Sequence, residues 1–318
     1  MKFIVVGCGS IGRRHISNLL SLGESAVGVD LNEEYRSWVE SNLKIKTYSD
    51  FSEAILSEKP DAALICTPPS SHVPLSLIAL KKGLHVFIEK PLSDSKKGID
   101  TLEKLAKKKK LTIAVGYNHR FNPVIEKLKE LIKGKKTVYA RVSVGQYLPD
   151  WRPWQDYRKS YTAIKGLGGG IILDASHEID YVRWLFGEPE EAYAVSGKLS
   201  SLEVETEDVA EIILKMKNGP VVSVHLDFVR RDPIREGEAV SLESTIKWDL
   251  RSGKISIFDP VSKSTSSMDV QYSVDKTYVD EMKDFINSIK SNTNPRVALD
   301  DARKTLDLAL KIKKAAGV

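Results

Sequence analysis

Three constellations in the chain have residue types and spacings that can do chemistry. The first is Gly7-Cys8-Gly9-Ser10-Ile11-Gly12, a G-x-G-x-x-G loop that follows an apolar run at once and opens a helical pattern. Gly7 permits a tight turn, Gly9 lets backbone approach a pyrophosphate, and Gly12 lets the helix pack on the strand. Ser10 and Ile11 begin the helix, whose free N–H groups and partial positive charge suit phosphate. Asp30 ends the next apolar run. An acid there accepts hydrogen bonds from ribose hydroxyls and repels a 2′-phosphate, which favours NAD over NADP. The alternative leaves the glycines as a plain turn and Asp30 as a helix cap.

The second constellation is Glu89-Lys90-Pro91 at the end of another apolar run. Partial burial would suit a lysine there to proton transfer. A surface lysine is the other reading. The third is Gly168-Gly169-Gly170 followed by an apolar helical pattern with Asp174 and His177. At i and i+3 on one helix over Ile171–Phe186 the two would share a face. Such a helix is apolar nearly all round and so buried, and a buried carboxylate and imidazole want a partner or a ligand. His177 is then a proton relay or substrate contact, with Asp174 positioning it or the substrate. A hydrogen-bonded core pair is the alternative.

These residues need elements to hold them. Lys2–Val6, Ala26–Asp30, Ala62–Cys66, His85–Glu89 and Thr112–Val115 read as buried parallel strands. Helical patterns over Gly12–Ser21, Glu33–Asn42, Phe51–Ser57, Val73–Lys82 and Ser95–Lys109 separate them. This alternation predicts a doubly wound α/β sheet. The strand ending at Cys66 should neighbour the first strand across the switch point, which brings Thr67, Pro68 and His72 to the cofactor edge. After residue 117 the pattern changes. A helix is predicted at Pro123–Lys133. Strands are predicted at Lys135–Tyr147, Glu191–Lys198, Val209–Met216, Val221–Phe228, Ala239–Thr245 and Ile255–Phe258. Two closing helices follow, at Thr277–Lys290 and Leu299–Ala315. Consecutive strands with short turns imply an open, mainly antiparallel sheet in an α+β domain.

Composition narrows the class. A charge of +5 arises from 48 cations interleaved with 43 anions among 318 residues, with no basic module for nucleic acid. It would accommodate an anionic small substrate. No run approaches a membrane span or a signal-peptide core, so the cytoplasm is the expected compartment. Two cysteines are too few for a disulfide framework.

Taken together, the Gly-rich loop, Glu89-Lys90-Pro91, the run Gly116-Tyr117-Asn118-His119-Arg120-Phe121-Asn122-Pro123 and the triple-glycine helix with Asp174 and His177 resemble the Gfo/Idh/MocA oxidoreductases. The match runs from residue 1 to about 187 and is loose beyond. The resemblance implies a Rossmann domain over 1–117 and a substrate-binding and oligomerisation domain over 118–294. The final helix, about 295–318, is a candidate to pack back on the first domain. It implies NAD as cofactor, held by the loop, Asp30, Thr67, Pro68, His72, Glu89, Lys90 and Asn118. It also implies Lys90, Asp174 and His177 as the catalytic set, with Asn118 and Arg120 at the substrate. Many members of the family space this Asp and His as D-x-x-x-H, whereas this chain has D-x-x-H.

The stretch 147–161, dense in aromatics and arginines, resembles a branch found with nonulosonate and amino-sugar pathways. Trp151 and Tyr157 could stack on a sugar, and Arg152 and Arg158 could grip a carboxylate or phosphate. A structured surface loop is the alternative. The activity implied is hydride transfer between a nicotinamide and a secondary alcohol carbon of a sugar, cyclitol or nucleotide sugar. A homodimer or homotetramer through the C-terminal sheet is implied as well. No metal, nucleic-acid or membrane partner is expected. Two other functions fit the same loop: a sugar-responsive regulator without catalysis, and an NAD-dependent glycoside hydrolase.

Overall fold

The computed structural model describes residues 1–318. The chain divides into two units, one of residues 1–118 and 275–303, the other of residues 119–274 and 304–318.

The first unit is a doubly wound sheet. Strands β1 (Lys2–Val6), β2 (Ser25–Val29), β3 (Thr47–Tyr48), β4 (Ala62–Ile65), β5 (His85–Glu89) and β6 (Ile113–Gly116) alternate with helices. These are α1 (Ser10–Ser21), α2 (Glu33–Leu43), α3 (Phe51–Glu58), α4 (His72–Lys81) and α5 (Ile99–Lys109). The strand order is β3-β2-β1-β4-β5-β6, all parallel. β1 and β4 are neighbours, as the predicted switch point requires. Each long strand is a nearly unbroken apolar run because both faces are covered. The edge strand β3 has two residues, too short to stand out in the sequence.

The second unit holds α6 (Pro123–Ile132), β7 (Thr137–Gly145), α7 (Leu148–Trp151), α8 (Ile171–Asp174) and α9 (Ser176–Phe186). A sheet completed by β8 (Pro189–Gly197), β9 (Val209–Met216), β10 (Val221–Asp227), β11 (Ile234–Ser241), β12 (Thr245–Asp249), β13 (Lys254–Asp259) and β14 (Ser264–Asp269) follows. Its order is β14-β13-β12-β11-β7-β10-β9-β8, antiparallel except at β7–β10. The strand expected at Ala239–Thr245 instead spans the end of β11, a turn at 242–244 and the first residue of β12. Ser241 Oγ accepts from the Glu243 and Ser244 N–H groups there, and the apolar residues on either side belong to different strands. One sheet face carries Ala210, Ile212, Leu214, Val222 and Val224, all buried, against which α8 and α9 pack. The other face carries exposed Tyr139, Tyr193, Val195, Ile213 and Val221.

Two helices close the chain, α10 (Val274–Ser291) and α11 (Leu299–Ala316). The expected boundary at 294 is corrected here. Met282, Phe285 and Ile286 of α10 join the core of Phe3, Val5, Leu64 and Phe87, so this helix belongs to the first unit. Conversely, residues 304–318 of the final helix group with the second unit.

Candidate functional site

In the first unit the Gly loop lies between β1 and α1. Gly7 has φ +98°, and a Cβ there would fall 2.6 Å from the Cys66 carbonyl oxygen. A Cβ on Gly12 would fall 1.8 Å from the Gly7 carbonyl oxygen, so only glycine lets α1 start this close to β1. Gly9 has open space where its Cβ would stand. It precedes α1 with no side-chain cap, and the first turn has no acidic residue. Uncapped N–H groups beneath open space fit a pyrophosphate. Asp30 follows β2, and its carboxylate accepts from the Cys8 N–H at 2.7 Å and the Asn32 N–H at 2.8 Å. It therefore fixes the loop itself and keeps lone pairs for ribose hydroxyls. Arg13 lies over the Trp38 ring at 4.1 Å and donates to the Cys8 carbonyl. Cys8 and Cys66 are free, and burial pushes both thiols up, so they are inert packing groups.

Two strands along, Lys90 follows β5 on the same carboxyl edge, next to a cis peptide to Pro91. Glu89 is buried beneath it. Its Oε1 meets His15 Nε2 at 2.6 Å, and its Oε2 accepts the Lys90 backbone N–H at 3.1 Å. His72 departs from its expected cofactor role. Its two ring nitrogens meet the Pro91 and Thr67 carbonyl oxygens, it is fully buried, and burial pushes its imidazole down. It ties the turn after β4 to the turn after β5. Thr67 takes part in the same turn, its Oγ1 accepting from the Ser71 hydroxyl at 2.7 Å, and Pro68 precedes the 3₁₀ turn Pro69–Ser71. Asn118 is buried. Its Nδ2 donates to Thr277 Oγ1, while its Oδ1 has no partner and can still accept from a ligand.

In the second unit the expected continuous helix over Ile171–Phe186 is corrected. Ala175, at φ −90° and ψ 25°, breaks it into α8, which Asp174 ends, and α9, whose second residue is His177. The i, i+3 argument therefore does not set the geometry of this pair. Tyr161 Oη and Thr162 Oγ1 donate to the two Asp174 oxygens at 2.8 and 2.7 Å. The three glycines make this possible: a Cβ on Gly169 would fall 2.3 Å from the Tyr161 carbonyl oxygen, so the 161–162 turn could not come so close. His177 stacks on His119, with ring centroids 4.5 Å apart and planes 17° off parallel. Arg235 Nη1 donates to His119 Nε2 at 3.3 Å, and the rest of its fork grips the buried Glu178 at 2.7 and 3.1 Å.

The aromatic stretch forms a shallow surface pocket lined by Leu148, Trp151, Arg152, Gln155, Tyr157 and Thr162. Thr162 carries this pocket to Asp174. Trp151 is held there by Phe228, edge to face at 5.3 Å, and by its Nε1–H to the Gln146 carbonyl. Two residues with an expected substrate role are engaged elsewhere. Arg158 pairs with Asp156 and Glu203 at the exposed surface. Arg120 makes a bidentate, buried pair with Asp180 at 2.6 and 2.9 Å. The sequence reading missed Tyr161, Thr162, His119, Glu178 and Arg235. Their partners lie 12 to 116 residues away, and only His119, in the run Gly116–Pro123, and Tyr161, at the end of the stretch 147–161, fell within segments that the sequence singled out.

Comparison with known proteins now has a geometry to meet. Residues 1–117 match the model of an oxidoreductase family with an NAD-binding Rossmann fold, and residues 125–241 match the Gfo/Idh/MocA C-terminal domain. The chain belongs to the Gfo/Idh/MocA oxidoreductase family. It is 27% identical to the myo-inositol 2-dehydrogenase of Thermotoga maritima, over 99% of this chain and 96% of that protein. It is 24% identical to the UDP-N-acetylglucosamine 3-dehydrogenase of Acidithiobacillus ferrooxidans, over 99% and 97%. Among solved structures, levoglucosan dehydrogenase with NADH and levoglucosan shares the fold, with a TM-score of 0.88, 19% identity, and coverage of 100% and 97%. This Gfo/Idh/MocA member is an NAD-dependent oxidoreductase whose first unit carries the NAD loop. No helix in it is long and apolar enough to cross a membrane.

Proposed function

We propose that this enzyme oxidises a secondary alcohol carbon of a sugar, cyclitol or nucleotide sugar, or reduces the matching carbonyl, with Lys90 as the proton-transfer group. The observation that carries this is the placement of Lys90. It stands on the carboxyl edge of the sheet that bears the Gly7–Gly12 loop, two strand spacings or roughly 10 Å away. The bound nicotinamide would accept the hydride in oxidation as NAD and donate it in reduction as NADH. In oxidation Lys90 takes the hydroxyl proton; in reduction it returns that proton to the forming alkoxide and stabilises its charge. Asp174 and His177 are assigned to the substrate hydroxyls. Asp174 is an acceptor held rigidly by two hydroxyl donors, and the His177 ring plane is fixed by His119. The relatives named above act on a cyclitol and a nucleotide sugar, and both have the ring hydroxyls this set would bind. Trp151, Arg152 and Tyr157 are assigned to the rest of the substrate, with Arg152 at an anionic group.

A panel of polyols and nucleotide sugars, read by NADH absorbance, identifies the substrate. Lys90→Ala should then keep NAD binding and lose turnover; undiminished turnover would remove Lys90 from the mechanism. We further assign the exposed sheet face to a homo-oligomer, because Tyr193 and Val195 are 59% and 75% exposed on one strand beside Ile213. The cytoplasm is the compartment this reading expects, in keeping with two free thiols.

A further inference from the structure

One buried carboxylate of the second unit plays no part in the chemistry above. Glu207 lies two residues before β9 and is 4% exposed. Burying such a group is costly unless partners are supplied. Here they are of two kinds. Lys313, in the part of α11 that groups with this unit, reaches Oε1 at 2.7 Å. The backbone after the three glycines supplies the rest. The Ile172 N–H donates to Oε1 at 3.4 Å, and the Ile171 N–H donates to the Glu207 carbonyl oxygen at 3.1 Å.

Gly170 is what admits the carboxylate. Its φ is +110°, and a Cβ there would fall 2.4 Å from Oε1 and 2.6 Å from Oε2. The neighbours of Glu207 are tied to the same turn. The Gly170 N–H and the Thr206 hydroxyl both donate to the Thr162 carbonyl oxygen, at 3.0 and 3.2 Å, and the Glu205 N–H donates to the Ala163 carbonyl oxygen at 2.8 Å. Residues 161–163, 169–172 and 205–207 are thus knotted together. Asp174 hangs from the knot at two places. Its carboxylate accepts from the Tyr161 and Thr162 hydroxyls, and its own N–H donates to the Gly170 carbonyl oxygen at 3.0 Å. The helix that carries it, α8, has four residues and no side-chain cap. One turn of helix has little stability of its own, so what surrounds it must hold it.

We propose that Glu207 is a positioning residue for Asp174: paired with Lys313, it fixes the start of α8 and so places the carboxylate that meets the substrate hydroxyls. This rests on the assignment of Asp174 to those hydroxyls. A buried ion pair is a poor source of net stability, and apolar side chains of similar volume often replace one without loss. An apolar pair could not, however, supply an acceptor for the Ile172 N–H or pin the backbone one turn before Asp174. Misplacing a substrate-holding group by about 1 Å can cost about a hundredfold in rate. The loss should fall on the substrate and spare NAD, whose loop lies in the first unit.

The test compares the full-length enzyme with Glu207→Met/Lys313→Met, which keeps volume and leaves neither charge unpaired. Its Tm should stay near that of the parent. Hydrogen exchange at the amides of residues 171–175 should nevertheless rise about tenfold or more, with β9 and β10 unchanged. Parent-like protection of residues 171–175 overturns the proposal. With the substrate identified by the panel of polyols and nucleotide sugars, kcat/KM should fall about tenfold or more at unchanged NAD affinity. A parent-like kcat/KM overturns it as well, since the pair would then serve the fold alone. In an Asp174→Asn background the double replacement should cost nothing further, and a fully additive loss refutes the route through Asp174. Undiminished kcat/KM in Asp174→Asn alone refutes the assignment of Asp174 and this proposal with it. A loss there beside a parent-like Glu207→Met/Lys313→Met refutes the positioning only.

Discussion

Replacing Arg120 by methionine separates a role in the substrate site from a role in the fold. The guanidinium donates through Nε and Nη2 to the two Asp180 oxygens at 2.6 and 2.9 Å, and the two side chains are 3% and 0% exposed. Methionine keeps the apolar stem beside Trp184, over whose ring the guanidinium lies at 5.1 Å, but removes every donor. Asp180 then retains the Thr305 hydroxyl at 3.0 Å in a site closed to solvent. Removing one partner of a buried pair costs about 3–5 kcal/mol, because the remaining charge loses its bidentate donor. For a unit of this size that corresponds to a fall in Tm of roughly 6–20 °C. Calorimetry or circular dichroism measures it directly. The double variant Arg120→Met/Asp180→Leu should recover most of the loss, since an apolar pair of similar volume is often neutral or better. KM, measured well below the transition, should stay near its original value in both. If Arg120→Met melted like the parent and its KM rose about tenfold or more, the guanidinium would be binding substrate and the structural assignment would fail.

Other predictions follow from single contacts. Gly12→Ala should abolish NAD binding by calorimetric titration, because its Cβ would need the space of the Gly7 carbonyl oxygen; retained affinity would contradict the close packing of α1 on β1. His119→Ala should remove a ring contact worth about 0.5–1.5 kcal/mol and lower kcat with NAD affinity unchanged, because the lost stack frees the His177 ring. His225 is pushed up by its hydrogen bond to Asp227 and by Glu211. Its contribution to stability is present below the unfolded imidazole value and lost as pH rises through the higher folded one. At 30% side-chain exposure it is worth under about 1 kcal/mol, so His225→Gln should only slightly flatten the fall in Tm across neutral pH. Glu281 has the same sign with a larger slope. The folded state keeps a proton that the unfolded state releases, so stability falls by about 1.4 kcal/mol per pH unit above the unfolded carboxyl value. Glu281→Gln should remove that slope and raise Tm at neutral pH; a lowered Tm there would mean the native carboxylate is ionised and paired.

What the sequence disclosed depended on how local the physics was. The first unit was readable because a strand covered on both faces is an apolar run and a phosphate loop is six consecutive residues. The break at Ala175 was not, because apolar residues recur at helical spacing on both sides of it in Ile171–Phe186 and nothing in that periodicity marks an interruption. The positions of Arg120 and Arg158 were misread for a related reason. An arginine looks the same in sequence whether its carboxylate partner is a ligand or an aspartate elsewhere in the chain. Asp180 lies on α9 three residues after His177, and Asp156 sits two residues from Arg158.

The placement of α10 shows the limit from the other side. Its amphipathic pattern fixes that it has an apolar face, which Met282 and Phe285 supply, but not which sheet that face meets. Once it is known to lie against β1, β4 and β5, the position of Glu281 follows, one residue before Met282 and against Glu89. A carboxyl that reads as an ordinary surface acid of a charged helix becomes a buried group with no hydrogen-bond partner, beside Glu89. The proposed site residues were therefore visible mainly through motifs, whereas the meeting of residue 281 with residue 89 appeared only once the fold had joined them.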